Sequence, residues 1–160
     1  MNNTTNNEPI NQFSTNKPSP KNNTASAAYI GATWVALIVG FTAFIVGLFN
    51  ADMMLNEKGY YFSVLMFGLF SAISVQKNVT DASDGLPVSS LFIGVCWICL
   101  VTALLLLIVG LWNAELALSE KGFYGMSFTL ALFAAMSIQK NIRDNMNEKA
   151  HSNKSTINND

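Results

Sequence analysis

The residues best suited to chemistry fall in two short polar segments: Asn50, Asp52, Glu57, Lys58 and Gly59, then Asn113, Glu115, Glu120, Lys121 and Gly122. Amide, carboxylate and ammonium groups brought this close together offer contacts to a polar ligand or an ion. As a metal set they are weak, because hard cations want many oxygens and no histidine is near, so no metal or other cofactor is expected. Asn50 and Glu57 lie seven apart, as do Asn113 and Glu120, and would share a face if one helix ran through both. An asparagine near the hydrocarbon edge can also hydrogen-bond to a neighbouring helix. The plainer reading takes the asparagines as glue between helices, the acids and lysines as interfacial charges, and the glycines as turns.

Other reactive groups are scarce. Cys96 and Cys99 form a C-x-x-C pair inside an apolar run, without the strand-to-helix context or the thiolate-stabilising surroundings of a redox site. They read as small packing residues. Asp81 and Asp144 each follow a lysine, Lys77 and Lys140, by four positions, which permits an ion pair in the weaker Lys-first order. His151 stands alone in a polar segment. There is no Ser/His/Asp set, phosphate loop or nucleotide motif, so no catalytic residue is assigned and the chain is expected not to be an enzyme.

The two polar segments are copies of one another. Gly47-Leu48-Phe49-Asn50-Ala51 through Glu57-Lys58-Gly59-Tyr60-Tyr61 returns as Gly110-Leu111-Trp112-Asn113-Ala114 through Glu120-Lys121-Gly122-Phe123-Tyr124, at a constant offset of 63 positions. From Trp34/Trp97 to Asp81/Asp144 no gap is needed, and 21 of 48 aligned pairs are identical. Helical periodicity alone cannot produce that agreement. One structural unit has been duplicated.

The elements that hold these segments are membrane helices. Residues 22–51, 59–76, 85–114 and 122–139 are free of Asp, Glu, Lys and Arg. Crossing a hydrocarbon core about 30 Å thick takes roughly 20 apolar residues. The first and third runs exceed that length. The second and fourth are shorter, and reach it by adding Gln76-Lys77-Asn78 or Gln139-Lys140-Asn141, whose lysines can snorkel to headgroups. A soluble fold would lack the polar surface to cover such runs. The expected class is an all-α integral membrane four-helix bundle of two tandem helical hairpins, a parallel internal repeat. In this reading the first helix of each hairpin continues into its tip, since Ala114-Glu115-Leu116-Ala117-Leu118-Ser119-Glu120-Lys121 consists almost entirely of good helix formers. Gly59 and Gly122 then end it in the left-handed region.

The expected boundaries are residues 1–25 as a disordered Asn-rich tail and 26–82 as the first repeat. Residues 83–88 form a linker, 89–145 the second repeat and 146–160 a second disordered tail. The first apolar run lacks a cleavage pattern and is expected to remain as an anchor. Lys17, Lys21, Lys77, Lys140, Arg143, Lys149 and Lys154 flank one side, against Lys58 and Lys121 on the other. The positive-inside rule then puts both termini and the linker in the cytoplasm and both tips outside. Phe49, Tyr60, Tyr61, Trp112, Phe123 and Tyr124 cluster where the tips meet the interface. Small residues (Ala36, Gly40, Ala43 and Gly47; Gly68 and Ala72; Ala131 and Ala135) mark close contacts, within the bundle or along an oligomer seam. The expected partners are the lipid bilayer and either a second copy or other inner-membrane proteins. A formal net charge of −1 gives no nucleic-acid surface.

With the doubled G-L-[FW]-N-A-x-x-x-L-x-E-K-G-[YF]-Y and S-x-Q-K-N-x-x-D in view, residues 28–145 resemble the YiaA/YiaB family of small bacterial inner-membrane proteins, whose unit is a two-helix domain. The two-unit length is closer to the YiaA type. The resemblance implies a multi-pass location in the bacterial cytoplasmic (inner) membrane and carries no catalytic residues over. Two functions follow as expectations: a non-enzymatic structural or interaction component, or, alternatively, a small transporter or channel built from duplicated hairpins. Against the second, the mid-membrane stretches hold no ionisable group of the kind transport sites use.

Overall fold

The computed structural model describes residues 26–157 as four helices. They are α1 (Ala27–Asn50), α2 (Leu55–Ser83), α3 (Ser90–Asn113) and α4 (Leu118–Ile157). All four are long and apolar enough to span a membrane, α4 over its Leu118–Asn147 part. Ser26 opens α1, its Oγ accepting the Tyr29 amide at 3.2 Å, as an N-cap serine does. The expected disordered tail at 1–25 lies outside the described residues.

Two expectations about helix ends need correction. Gly59 and Gly122 do not end helices; each is the fifth residue of its helix, α2 or α4. The chain breaks earlier, at Ala51 and Ala114, where the backbone is extended, so the two halves of each polar segment belong to different helices. As a result α2 spans 29 residues where a shorter helix was expected. The left-handed glycine occurs instead at Gly85, with φ 73°. There the Leu86 amide bonds to the Asp81 carbonyl at 3.0 Å and the Gly85 amide to that of Ala82 at 3.2 Å. This Schellman closure, with Pro87 just beyond it, stops α2. The second correction concerns the tail expected at 146–160, which is helical through Ile157. No glycine or proline follows Gly125, and extending an existing helix requires no new nucleus.

The helices do not pair within hairpins. α1 packs on α4, α3 packs on α2, and α2 and α4 lie against each other at the centre, while α1 and α2 meet only lightly. A shift of 63 positions maps the α1–α4 pair onto α3–α2 and the α2–α4 pair onto itself. The bundle therefore has a pseudo-two-fold axis along the membrane normal, with the two hairpins interleaved across it. Tyr61 and its counterpart Tyr124 mark the axis, their rings stacked 6.2 Å apart at 16°.

Lipid tails are as apolar as leucine, so helices in a bilayer associate by close packing. Burial follows that rule. Phe44, Leu65, Ala72, Ala103, Phe128 and Ala131 are fully buried, whereas Val35, Ile38, Phe70, Leu91 and Phe133 face outward. The small-residue stripe of α1 is used inside the bundle. A Cβ on Gly40 would lie 2.8 Å from the Ala131 backbone nitrogen and 3.1 Å from the Ser127 carbonyl oxygen. Gly47 meets the Phe123 ring, its counterpart Gly110 meets Tyr60 and Tyr61, and Gly68 meets Phe128.

Gly40→Ala must separate two backbones, and no side-chain rotation can relieve it. It is expected to destabilise the bundle by about 1–3 kcal/mol, read as earlier unfolding on titration of mixed micelles with SDS. Gly31→Ala, whose Cβ meets nothing within 4 Å, is the matched control and should be at least as stable as the parent.

Candidate functional site

The polar residues singled out in the sequence divide between two roles. The first is closing the tips. Asn50 Nδ2 donates to the Val46 carbonyl at 2.8 Å and Asn113 Nδ2 to that of Val109 at 2.8 Å. Each asparagine thus bonds back to its own helix and does not bridge to another. Glu57 Oε2 accepts the Met54 amide, and Glu120 Oε2 the Ala117 amide, both at 2.9 Å. A carboxylate three residues into a helix satisfies an unpaired amide and the positive end of the helix dipole in this way. Lys58 Nζ reaches back to the Phe49 carbonyl at 3.0 Å, and Lys121 Nζ to that of Trp112 at 3.4 Å, covering the negative end of the preceding helix. The Glu-Lys pair therefore holds both ends of a very short turn. This explains why the two residues recur together.

The second role is lining two clefts between the repeats. One, about 220 Å³, is formed by Asn56, Glu57, Tyr60 and Tyr61 of α2 with Gly110, Asn113 and Ala114. The other, about 290 Å³, is formed by Ser119, Glu120, Phe123 and Tyr124 of α4 with Gly47, Asn50 and Ala51. Every lining residue of one is 63 positions from a lining residue of the other. The fold thus brings Glu57 to Asn113 and Glu120 to Asn50, across repeats and not along one helix face. Tyr60 differs from its counterpart Phe123 in carrying a hydroxyl, which donates to the Leu106 carbonyl at 2.7 Å. Asp52 and Glu115 are exposed in the turns, outside both clefts. Nothing lies within 4 Å of a Cβ at Gly59 or Gly122.

At the opposite end two buried polar contacts cross the repeats. Asn78 Nδ2 donates to Cys96 Sγ at 3.1 Å, and Asn141 Nδ2 to Thr33 Oγ1 at 3.4 Å. Both asparagines are at most 4% exposed. Cys96 is thus more than a packing residue, and it occupies the same role as Thr33. The sequence carried a signal for this: the doubled asparagine of S-x-Q-K-N, and a hydrogen-bond acceptor at both 33 and 96. Beside this layer Arg143 of α4 pairs with Asp81, and with Asp84 at 3.2 Å. Lys77 reaches Asp81 at 3.6 Å, as its spacing permits. Among the described residues Asp144 forms no ion pair with Lys140. Arg143 has no counterpart, because Thr80 stands 63 positions before it.

Four apolar spans, a duplicated hairpin and charged groups confined to the two ends define a multi-pass helical membrane protein. Residues 29–81 and 92–144 each match the yiaA/B two helix domain. The chain belongs to the YiaA/YiaB family. It is 52% identical over 124 residues to inner membrane protein YiaA of Escherichia coli strain K12, covering 78% of this chain and 86% of that protein. Inner membrane protein YiaB of the same organism is 28% identical over 104 residues, 63% of this chain and 86% of its own length. Membrane protein YubF of Bacillus subtilis strain 168 is 35% identical over 60 residues, 37% of this chain and 69% of that protein. No solved structure matches the chain.

If Cys96 serves Asn78 as Thr33 serves Asn141, Cys96→Thr should leave stability within about 0.5 kcal/mol of the parent. Cys96→Val, similar in size without an acceptor, should cost about 1–2 kcal/mol by leaving the Asn78 amide unpartnered. SDS unfolding of the two variants in parallel provides the check.

Proposed function

We propose that the protein is a non-enzymatic structural or interaction component of a bacterial inner membrane, with both termini and the middle loop in the cytoplasm and both tips outside. The observation that carries this reading is the charge-free middle of the bundle. From Gly59 to Gln76 and from Gly122 to Gln139 in the central helices, and throughout α1 and α3, no Asp, Glu, Lys or Arg occurs. Among the described residues no buried side-chain nitrogen or oxygen lacks a partner. A transport path needs polar groups that exchange partners with a solute, whereas the buried mid-span hydroxyls of Ser71 and Ser127 donate to carbonyls of their own helices. These features support a bundle that presents polar clefts at one membrane face and charged helix ends at the other. The seven-to-two split of Lys and Arg supports the orientation. In this reading the tip residues Asn50, Glu57, Lys58, Asn113, Glu120 and Lys121 act by fixing the shape of the clefts.

Cysteine accessibility tests both parts. In a background with Cys96→Thr and Cys99→Ala, which copies the first repeat, single cysteines at Ala72, Ala103 and Ala131 should resist a membrane-impermeant maleimide from either side. Asn56→Cys and Ser119→Cys should label in intact cells whose outer layer is permeable to the reagent. Ser89→Cys should label only in inverted vesicles. Rapid labelling at Ala72, Ala103 or Ala131 indicates a water path and promotes the transporter, and labelling of Ser89→Cys from outside reverses the orientation.

A further inference from the structure

The interleaved packing leaves a consequence on the outer surface of the first repeat. Because α1 leans on α4 and α2 on α3, the two helices of this hairpin part to leave a wedge open to the bilayer. A cavity of about 410 Å³ lies between Phe41, Ile45 and Phe49 of α1 and Leu55 and Phe62 of α2. A second of about 310 Å³ continues it toward Leu37 and Ile73, with Phe41 shared by both. Phe49 and Leu37 are twelve residues apart, so the groove runs roughly 18 Å along α1 at 1.5 Å per residue. One leaflet is roughly half of a 30 Å core, a matching depth.

The groove is apolar along its length and carries one charge, at its upper end. Lys58 lines it there, half-buried. Its ammonium has three donors, of which the Phe49 carbonyl takes one. Beside it Gly59 has open space where a side chain would stand, which leaves the mouth of the groove clear. A cation at headgroup depth above a slot one leaflet deep is complementary to one kind of molecule. We propose that this groove holds one acyl chain of a phospholipid from the leaflet at the tips, with its phosphate on the Lys58 ammonium. Phe62, which walls the slot, is replaced by Gly125 in the second repeat, so this wall belongs to the first hairpin.

Native mass spectrometry of the full chain in mild detergent provides the test. Phosphatidylglycerol is offered against diacylglycerol with the same acyl chains. One phosphatidylglycerol should be retained in preference to diacylglycerol. Gly59→Leu, which fills the mouth, should weaken its retention about tenfold. Lys58→Gln should abolish the preference for phosphatidylglycerol while chain retention persists. Gly94→Leu on α3, where a Cβ meets nothing within 4 Å, should behave as the parent. Equal retention of the two lipids by the parent overturns the proposal, as does Gly59→Leu binding as the parent does, the sign of loose surrounding lipid. So does a Gly59→Leu variant that loses a dimer and keeps the lipid, which would seat a second copy in the groove. If Gly59→Leu does not fold, the Lys58→Gln comparison decides.

Discussion

Near-contact of backbones across the two repeats is the constraint from which the rest of the structure follows. Inside a bilayer no hydrophobic force drives helix on helix, so pairing goes to the surfaces that approach most closely. Here those surfaces are not on hairpin partners. Gly40 of α1 is spent on Ala131 and Ser127 of α4, and Gly47 on Phe123 and Tyr124. The counterpart contact, Gly110 on Tyr60 and Tyr61, ties α3 to α2. Once the first helix of each repeat is committed to the second helix of the other, α2 and α4 are forced together at the centre, where Tyr61 stacks on Tyr124.

The same exchange accounts for the polar chemistry at both ends. Each tip turn is short and each hairpin's helices barely touch, so the turn needs its own fastening. Glu57 with Lys58, and Glu120 with Lys121, supply it by holding one helix start and one helix end apiece. Tip residues of one repeat then face helix ends of the other, which is why both clefts mix residues from both. At the far end the buried Asn78–Cys96 and Asn141–Thr33 contacts serve register. Buried polar pairs penalise a slipped or unexchanged arrangement more than they stabilise the correct one.

Much of this was legible in the sequence. Charge-free runs of membrane length and a 63-residue repeat define four spans and a two-fold relation, because both are one-dimensional patterns. Helix ends are less legible, because local composition does not fix them. Ala114 to Leu118 is composed of helix formers, yet the chain breaks there. Local propensity of tenths of a kcal/mol yields to a turn fastened at both sides by Glu120 and Lys121. Gly59 and Gly122 look like turn glycines in sequence, whereas the left-handed position falls at Gly85. The exchange itself was hidden for a more basic reason. In a duplicated sequence each helix has two equivalent partners, its own and its copy's, and identity between repeats makes the two patterns alike. Choosing between them takes the fit of Gly40 to Ala131, which depends on three-dimensional shape.

That choice is also the most direct point of attack. With Cys96 and Cys99 replaced by Thr and Ala, two double-cysteine variants distinguish the pairings: Thr33→Cys with Asn141→Cys, and Thr33→Cys with Asn78→Cys. Mild oxidation in native membranes should close an intramolecular disulfide in the first, since those side chains touch in the interleaved bundle, and leave the second open. Closure of the 33–78 pair with the 33–141 pair remaining reduced would mean that each hairpin folds on itself, contradicting the account from which the clefts, the tip caps and the groove were derived.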